Sequence, residues 1–142
     1  ENSIETGRAC IAKDHRNKGI LFLMWKGIAQ YLLYHNKRYI FGCNSAAFDY
    51  YPSTFPWLKF FKENNWLHPN LLVPVKEKYC LNNKGISTSQ DVELSQLFKI
   101  YLKYNAKVCS YPAYDQTFKT LDFLTLLDIQ DFTQKQYDFF IN

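Results

Sequence analysis

Glycine, proline and long apolar runs are all scarce in this sequence, and each shortage excludes a class of protein. The 142 residues include 5 Gly and 5 Pro, too few for a collagen-like chain. The apolar share of 47% and the charged share of 21% exclude an intrinsically disordered chain. The longest apolar run, from Ile20 to Trp25, has six members, whereas a membrane-spanning helix needs about 20. We therefore expect one domain, residues 1–142, built around one core.

Closely spaced cysteines are also missing. Cys10, Cys43, Cys80 and Cys109 lie about 30 residues apart, whereas tetrahedral zinc sites are usually built on close pairs. We therefore expect no metal site and no tightly bound cofactor. Three of the four thiols lie in apolar, strand-like segments, where a free cysteine packs as a small hydrophobe. Reduced, buried thiols predict a cytoplasmic protein; disulfide bonds are the alternative.

The first third of the chain alternates between strand and helix patterns. Ser3 to Ala12 predicts a strand. From Gly19 to Asn36 the apolar residues recur on one broad face, which predicts a helix that ends at Asn36. Arg38 to Cys43 then predicts a short buried strand. Strand, helix and strand in this order are typical of a crossover unit with near-parallel strands.

An aromatic-rich segment, at about residues 46–91, follows and is interpreted as an insertion. Ser53 or Thr54 is a candidate cap for a helix with Pro56 in its first turn. The stretch from Tyr50 to Leu67 has three open interpretations: it covers a fatty chain, it lies on a bilayer surface, where Trp and Tyr are favoured, or it is part of the core.

The rest of the chain predicts further strands and one more helix. The predicted elements are an extended segment at 71–81, a turn at 82–85, a helix at 92–102, and strands at 106–111 and 121–127 with a long connection at 112–120. The whole order predicts an α/β (α+β) fold, in which helices pack on a mixed sheet.

The turn before the first predicted helix carries positive charge. Arg16, Asn17, Lys18 and Gly19 precede Ile20, and a helix N-terminus presents unpaired N–H groups to an anion. By itself this pattern is weak, since it equally fits an ordinary helix start.

Several separate blocks of this sequence resemble one family. They are Glu5-Thr6-Gly7-Arg8-Ala9-Cys10-Ile11, Arg16-Asn17-Lys18-Gly19, Leu23 to Ala29, Phe41-Gly42-Cys43-Asn44-Ser45, Leu97 to Ala106, Pro112 to Phe118, and Leu121-Asp122-Phe123. Together they are similar to the lipid-forming N-acyltransferases of the GNAT superfamily, which make ornithine or glycine lipids and are often catalogued as hemolysins. The resemblance covers nearly the whole chain.

The resemblance implies a fold, a donor and a donor-binding turn. The fold is a GNAT-like mixed sheet with flanking helices, of which this chain lacks the first strands and helices. The donor is a phosphopantetheine thioester, as acyl-ACP or acyl-CoA, lying between strands 3–12 and 38–43. Its phosphate rests on the turn formed by Arg16, Asn17, Lys18, Gly19 and Ile20. Position 21 is Leu, where the superfamily has a small residue and the lipid-forming branch does not.

The implied reaction transfers an acyl group to the α-amine of an amino acid, and it needs few side chains. Glu5 is the candidate general base; the alternative is a surface carboxylate paired with Arg8. Arg8 is the candidate to pair with Glu5 or to bind the substrate carboxylate. Ser45 either donates to the thioester arm and leaving thiolate or is a plain strand residue. Asp115 either orients the substrate or caps a hairpin turn.

The expected partners follow from the same resemblance. An acidic acyl carrier protein would be steered by basic residues around the mouth of the site, namely Lys13, Arg16, Lys18, Lys37 and Arg38. The acceptor is an amino acid, and nucleic acid is not expected as a partner. Peripheral contact with the inner membrane face is an open interpretation.

The missing early strands leave two expectations. Either this chain is a fragment that lacks an N-terminal half, or a second subunit supplies that half. The competing function is a non-catalytic module, derived from a GNAT fold, that binds an acyl thioester or a lipid without turnover.

Overall fold

A computed structural model describes residues 2–16, 18–47, 57–80 and 94–141 of the chain, without the side chain of Lys18. Within these ranges it contains five strands and four α-helices. In chain order they are β1 (Ser3–Glu5), α1 (Lys18–Tyr34), β2 (Tyr39–Ala47), α2 (Trp57–Glu63), α3 (Gln96–Lys103), β3 (Lys107–Val108), β4 (Ala113–Asp115), β5 (Thr120–Asp128) and α4 (Gln134–Phe140). The same ranges contain single 3₁₀ turns at Lys13–His15, Glu77–Tyr79 and Ile129–Asp131.

The strands form one mixed sheet in the order β1-β2-β5-β3, and β4 also pairs with β5. β1 runs parallel to β2, whereas β3 and β4 run antiparallel to β5. The predicted α/β (α+β) class is therefore confirmed, and so is the parallel pair on either side of the first helix.

Asparagine, rather than the scarce glycine, ends three of the helices. Asn36, Asn65 and Asn105 follow α1, α2 and α3 with φ values of 52°, 57° and 69°, the left-handed conformation common just after a helix. In each case the next residue's N–H bonds back into the helix, as Lys37 N–H does to the Leu32 carbonyl at 2.8 Å. The predicted helix end at Asn36 is confirmed.

The chain divides into two compact units, and the first comprises residues 1–42 and 127–142. Its core lies between α1 and α4, where Trp25 and Phe140 have ring centroids 5.7 Å apart. α4 begins with a capping box, in which Thr133 and Gln136 satisfy each other's backbone N–H groups. The sequence interpretation did not include this helix.

The second unit, residues 43–126, has a core of aromatic rings. Phe61 of α2, Phe98 of α3 and Phe123 of β5 are fully buried and lie within about 6 Å of one another. Trp57 stacks on Phe61 at 5.8 Å and is 2% exposed. Of the three interpretations of the aromatic stretch, the described part therefore supports the core.

Several predicted boundaries are wrong. The first strand ends at Glu5 rather than Ala12, since Arg8 takes a left-handed φ of 54°. β2 continues to Ala47, and the connection at 112–120 contains β4, which forms a hairpin with β5. The predicted helix cap at residues 53–56 and the turn at 82–85 lie outside the described residues.

Three of the four cysteines were expected to be buried, but the structure buries one. Cys10, Cys43 and Cys80 are exposed, and only Cys109 is buried. Cys10 lies beyond the end of β1, and Cys43 lies on the exposed side of β2, where burial alternates along the strand. Burial, with a smaller contribution from Cys43, raises the pKa of the Cys109 thiol to about 11.

Candidate functional site

The parallel pair β1–β2 carries the first group of candidate residues, and its pairing stops abruptly. Glu5 lies opposite Phe41 at the end of β1. The next N–H, of Thr6, donates to the Phe41 carbonyl at 2.8 Å. A Cβ atom at Gly42 would lie only 2.4 Å from the Thr6 carbonyl oxygen. The close approach of the two chains at this point therefore requires glycine at position 42.

The segment after Thr6 departs from strand geometry at Arg8. Its φ of 54° lies in the left-handed region. The other described non-glycine residues with positive φ are three Asn residues that follow helices and Lys119 in the β4–β5 turn. Such a conformation costs on the order of 1–3 kcal/mol and is concentrated at functional sites. Gly7, Arg8, Ala9 and Cys10 are all exposed, so this stretch lies at the protein surface.

The predicted anion-binding turn leads into α1. Lys13–His15 forms a 3₁₀ turn, and Arg16 Nε donates to the Ile11 carbonyl at 2.9 Å, which fastens the turn to the preceding segment. α1 begins at Lys18 and has no acidic residue in its first turn, so nothing there opposes an anion. Gly19 is exposed and Ile20 is half-buried. Asn17 and the Lys18 side chain lie outside the described residues.

Glu5 presents its carboxylate to solvent. It is exposed, and its Oε1 lies 4.0 Å from the position that a Cβ at Gly7 would take. The described part of the chain contains two ion pairs, Arg38–Asp128 and Lys59–Glu63, so the alternative pairing of Glu5 with Arg8 is not formed. An accessible carboxylate on a sheet end can accept a proton from a bound amine.

Ser45 belongs to a different group, in the second unit. Its hydroxyl donates to Asp122 Oδ1 at 2.7 Å, and the Thr120 hydroxyl donates to the same oxygen at 3.0 Å. The one hydroxyl proton of Ser45 is therefore directed at Asp122. Next to it, on the buried side of β2, Asn44 donates to Thr125 Oγ1 at 2.7 Å.

Asp115 caps the turn between β4 and β5. Its Oδ1 accepts from the N–H groups of Thr117 and Phe118 at 2.8 and 3.0 Å. This is the capping alternative of the two that the sequence left open. The substrate-orienting role stays a prediction.

The basic residues expected around the site differ in whether their side chains are bound to a carboxylate. Lys13 and Arg16 are exposed, whereas the Arg38 guanidinium is bound to the Asp128 carboxylate by several hydrogen bonds. Burial alone would raise the pKa of Asp128, but the hydrogen bonds from Arg38 and from the Gln130 N–H outweigh it and lower that pKa. Arg38 therefore forms an ion pair that joins the start of β2 to the end of β5, and it is not a free cation.

The structure thus separates the predicted site residues into two groups. Glu5, Arg8, Arg16, Gly19 and Ile20 belong to the first unit, and Ser45 and Asp115 belong to the second. The sequence interpretation gave no role to Thr6 and Gly42, which form the close approach, or to Thr120 and Asp122. Gly42 and Asp122 both lie in the sequence blocks on which the family resemblance is based. Their presence in these blocks is the sequence signal that could have marked them as candidates.

The described ranges show neither a metal site nor a membrane-spanning segment. No group of three or more His, Cys, Asp or Glu side chains there is arranged to hold a metal ion. No helix within the same ranges is long and apolar enough to cross a bilayer.

Comparison with curated proteins finds relatives that carry one name. The chain is 24% identical over 151 residues to the L-ornithine N(alpha)-acyltransferase of Rhodobacter capsulatus, covering 96% of this chain and 54% of the relative. The proteins of the same name from Rhizobium meliloti and Brucella abortus are 27% and 24% identical, covering 89% and 96% of this chain. The resemblance inferred from the sequence is thereby confirmed.

The chain spans about half the length of these curated relatives. No family model matches it, and no solved structure matches it.

Proposed function

We propose that this chain is part of an N-acyltransferase that transfers a long-chain acyl group to the α-amine of an amino acid such as ornithine or glycine. The observation that carries the proposal is the similarity, over 89–96% of the chain, to three proteins named L-ornithine N(alpha)-acyltransferase. The product class is an aminolipid. Residues 1–142 act as one acyltransferase domain, with the segment at about 46–91 inserted in it.

The donor in this proposal is a phosphopantetheine thioester, carried by acyl carrier protein or by CoA. Its phosphate binds at Arg16, Asn17, Lys18, Gly19 and Ile20. The exposed Gly19, the Arg16 side chain that fastens the turn, and the absence of an acidic residue from the first turn of α1 support this assignment.

The reaction forms one C–N bond and breaks one C–S bond. The neutral amine attacks the thioester carbonyl carbon, the pantetheine thiolate leaves, and the amine proton passes to Glu5 directly or through one water. A backbone N–H between Ala9 and Ile11 stabilises the developing oxyanion. The exposure of Glu5 and of residues 7–10 beyond it supports these roles. Arg8 binds the acceptor carboxylate as a bidentate cation.

The proposed partners follow from this chemistry. Acyl carrier protein is acidic, and the exposed Lys13 and Arg16 would attract it. We place the reaction in the cytoplasm, with peripheral contact at the inner membrane face where the lipid product is released.

The test is a panel of donors and acceptors with the protein encoded by the complete gene. Acyl-ACP and acyl-CoA of several chain lengths are each incubated with ornithine, glycine and other amino acids, and N-acyl products are sought by mass spectrometry. We expect product with at least one pair. No product with any pair, together with tight acyl-thioester binding, would instead support the non-catalytic module.

A further inference from the structure

One side of α1 exposes apolar and aromatic side chains. Four residues at spacings of four, four and three share one face of the helix, which we call the outer face of α1: Leu23, Gly27, Tyr31 and Tyr34. Leu23 is 65% exposed, Tyr31 53% and Tyr34 83%. A Cβ atom at Gly27 would meet nothing within 4 Å. This face therefore lies at the protein surface.

α4 extends this apolar surface on one side. Both helices belong to the first unit. Phe139 of α4 is 44% exposed, and its ring centroid lies 5.7 Å from that of Phe22, which precedes Leu23 in α1. The Lys26 amine lies over the same Phe139 ring, 5.2 Å from its centroid. The aromatic surface therefore has a cation at its flank.

The outer face of α1 offers few polar groups to a partner. Gln30 shares this side of the helix, since it lies seven residues after Leu23. Its Nε2 donates to the Ile141 carbonyl at 2.6 Å, so one of its N–H groups is already bonded within the first unit. The two tyrosines have apolar rings with a polar group only at the tip. Contact with this face is therefore mainly apolar.

The stretch of chain that contains α1 has no acidic side chain. Residues 15–48 include five basic residues and no Asp or Glu. Among the basic residues, Arg38 is paired with Asp128. α4 contributes one basic and one acidic residue, Lys135 and Asp138, which offset each other. No charge on α1 therefore repels an anionic surface.

We propose that the outer face of α1, together with Phe139, binds the surface of an anionic phospholipid bilayer. Leucine and aromatic residues next to lysine are typical of helices that lie in the bilayer interface. The inference rests on the proposed function, because an enzyme that makes an aminolipid releases its product into a membrane. It names the surface through which that membrane contact is made.

A second copy of the chain is the alternative occupant of this face. A stable protein–protein interface uses roughly 20–30 residues a side. The outer face of α1 and Phe139 present four large exposed apolar side chains, which is few for a dimer. A bilayer needs no complementary surface, and its attraction grows with the apolar area inserted and with each nearby cation. The size and charge of the patch therefore favour the bilayer.

The experiment measures co-sedimentation of the complete protein with phosphatidylcholine vesicles, prepared with and without phosphatidylglycerol. No acyl donor or acceptor is added. We expect binding to the phosphatidylglycerol vesicles, and a loss of at least about tenfold in the double variant Leu23→Gln, Tyr34→Gln. Lys26→Gln should lower binding to the anionic vesicles alone, by about fivefold. Phe118→Gln is the matched control, since it removes a 77% exposed ring from the β4–β5 turn, and it should bind as the parent does.

Light scattering and thermal melting identify the competing occupants. A dimer that the double variant dissociates would assign the face to a second copy. A double variant that no longer folds, together with unchanged vesicle binding by Lys26→Gln, would show that the rest of the complete protein covers the face. Either result would overturn the inference, and so would equal binding by the double variant and the parent.

Failure of this inference is distinguishable from failure of the proposed function. Vesicle binding through α1 without any N-acyl product would support the membrane surface and contradict the enzyme. N-acyl product from a protein that binds neither kind of vesicle would support the enzyme and overturn the membrane surface.

Discussion

Replacement of Gly42 by alanine should push β1 away from β2. The added Cβ would lie 2.4 Å from the Thr6 carbonyl oxygen and 3.2 Å from Thr6 Oγ1. The first contact involves backbone, which cannot rotate away as a side chain can. The Thr6 carbonyl must therefore retreat by roughly 1 Å to reach ordinary van der Waals separation.

The cost of this retreat follows from the contacts that it disturbs. Overpacking of this kind costs about 1–3 kcal/mol. The Thr6 N–H bond to Phe41 contributes about 0.5–1.5 kcal/mol if it is lost. Replacing glycine returns about 0.5–1 kcal/mol, because the unfolded chain becomes less flexible. We expect a net loss of about 2 kcal/mol in the free energy of unfolding.

The assay is urea and thermal unfolding followed by circular dichroism. For a chain of this length, about 2 kcal/mol corresponds to a fall in Tm of about 4–8 °C. Gly27→Ala is the matched control: a Cβ at Gly27, inside α1, would meet nothing within 4 Å. That change should raise stability by about 0.5–1 kcal/mol. If Gly42→Ala were as stabilising as Gly27→Ala, the close approach of the two strands would be refuted.

Three further predictions concern stability and accessibility. Phe61→Ala should cost about 3–5 kcal/mol in urea unfolding, because the ring is fully buried, whereas Phe118→Ala should cost little, since that ring is 77% exposed. A thiol reagent should label the three exposed cysteines in the native protein, and Cys109 only after unfolding. If mass spectrometry showed that Cys109 in the native protein is labelled as fast as the exposed cysteines, its burial would be contradicted. Because the folded pKa of Asp128 is lowered, the unfolded state binds more protons near its ordinary pKa. The Arg38 pair should therefore stabilise the fold above about pH 4 and lose that effect as the pH falls further. Unfolding midpoints of Arg38→Gln should depend less on pH in this window than those of the parent.

The first helix was readily predicted because its apolar residues repeat with one period and Asn36 provides a clear end. α4 was missed, although its start carries a recognisable signal: Thr133 and Gln136 have the spacing of a capping box. The helix has only seven residues, so it is too short for the repeat of its apolar residues alone to indicate a helix.

The first strand was predicted too long because the conformation of Arg8 cannot be recognised from residue type. A left-handed φ is expected for glycine or asparagine, and here it occurs at arginine. The apolar pattern around Cys43 predicted the wrong burial for a related reason. Cys43 is exposed while the polar Asn44 is buried, because Asn44 finds a partner in Thr125, 81 residues further along the chain.

The start of α1 was predictable from local sequence, and it lies one residue from the predicted position. β1 ends at Glu5 rather than at Ala12, and the site roles of the residues in this stretch stay predictions. The hydroxyl-bound Asp122 was not predictable, because its partner Ser45 lies on another strand, and only the folded sheet brings the two side chains together.

The most direct test of the proposed enzyme is the rate of N-acyl product formation by Glu5→Gln in the complete protein. Glu77→Gln, in an exposed 3₁₀ turn, is the control for loss of a carboxylate elsewhere. With melting unchanged in both variants, we predict that Glu5→Gln lowers kcat about 100-fold or more, while Glu77→Gln keeps the parent rate. A Glu5→Gln protein that turns over as fast as the parent would contradict a catalytic carboxylate at the end of β1.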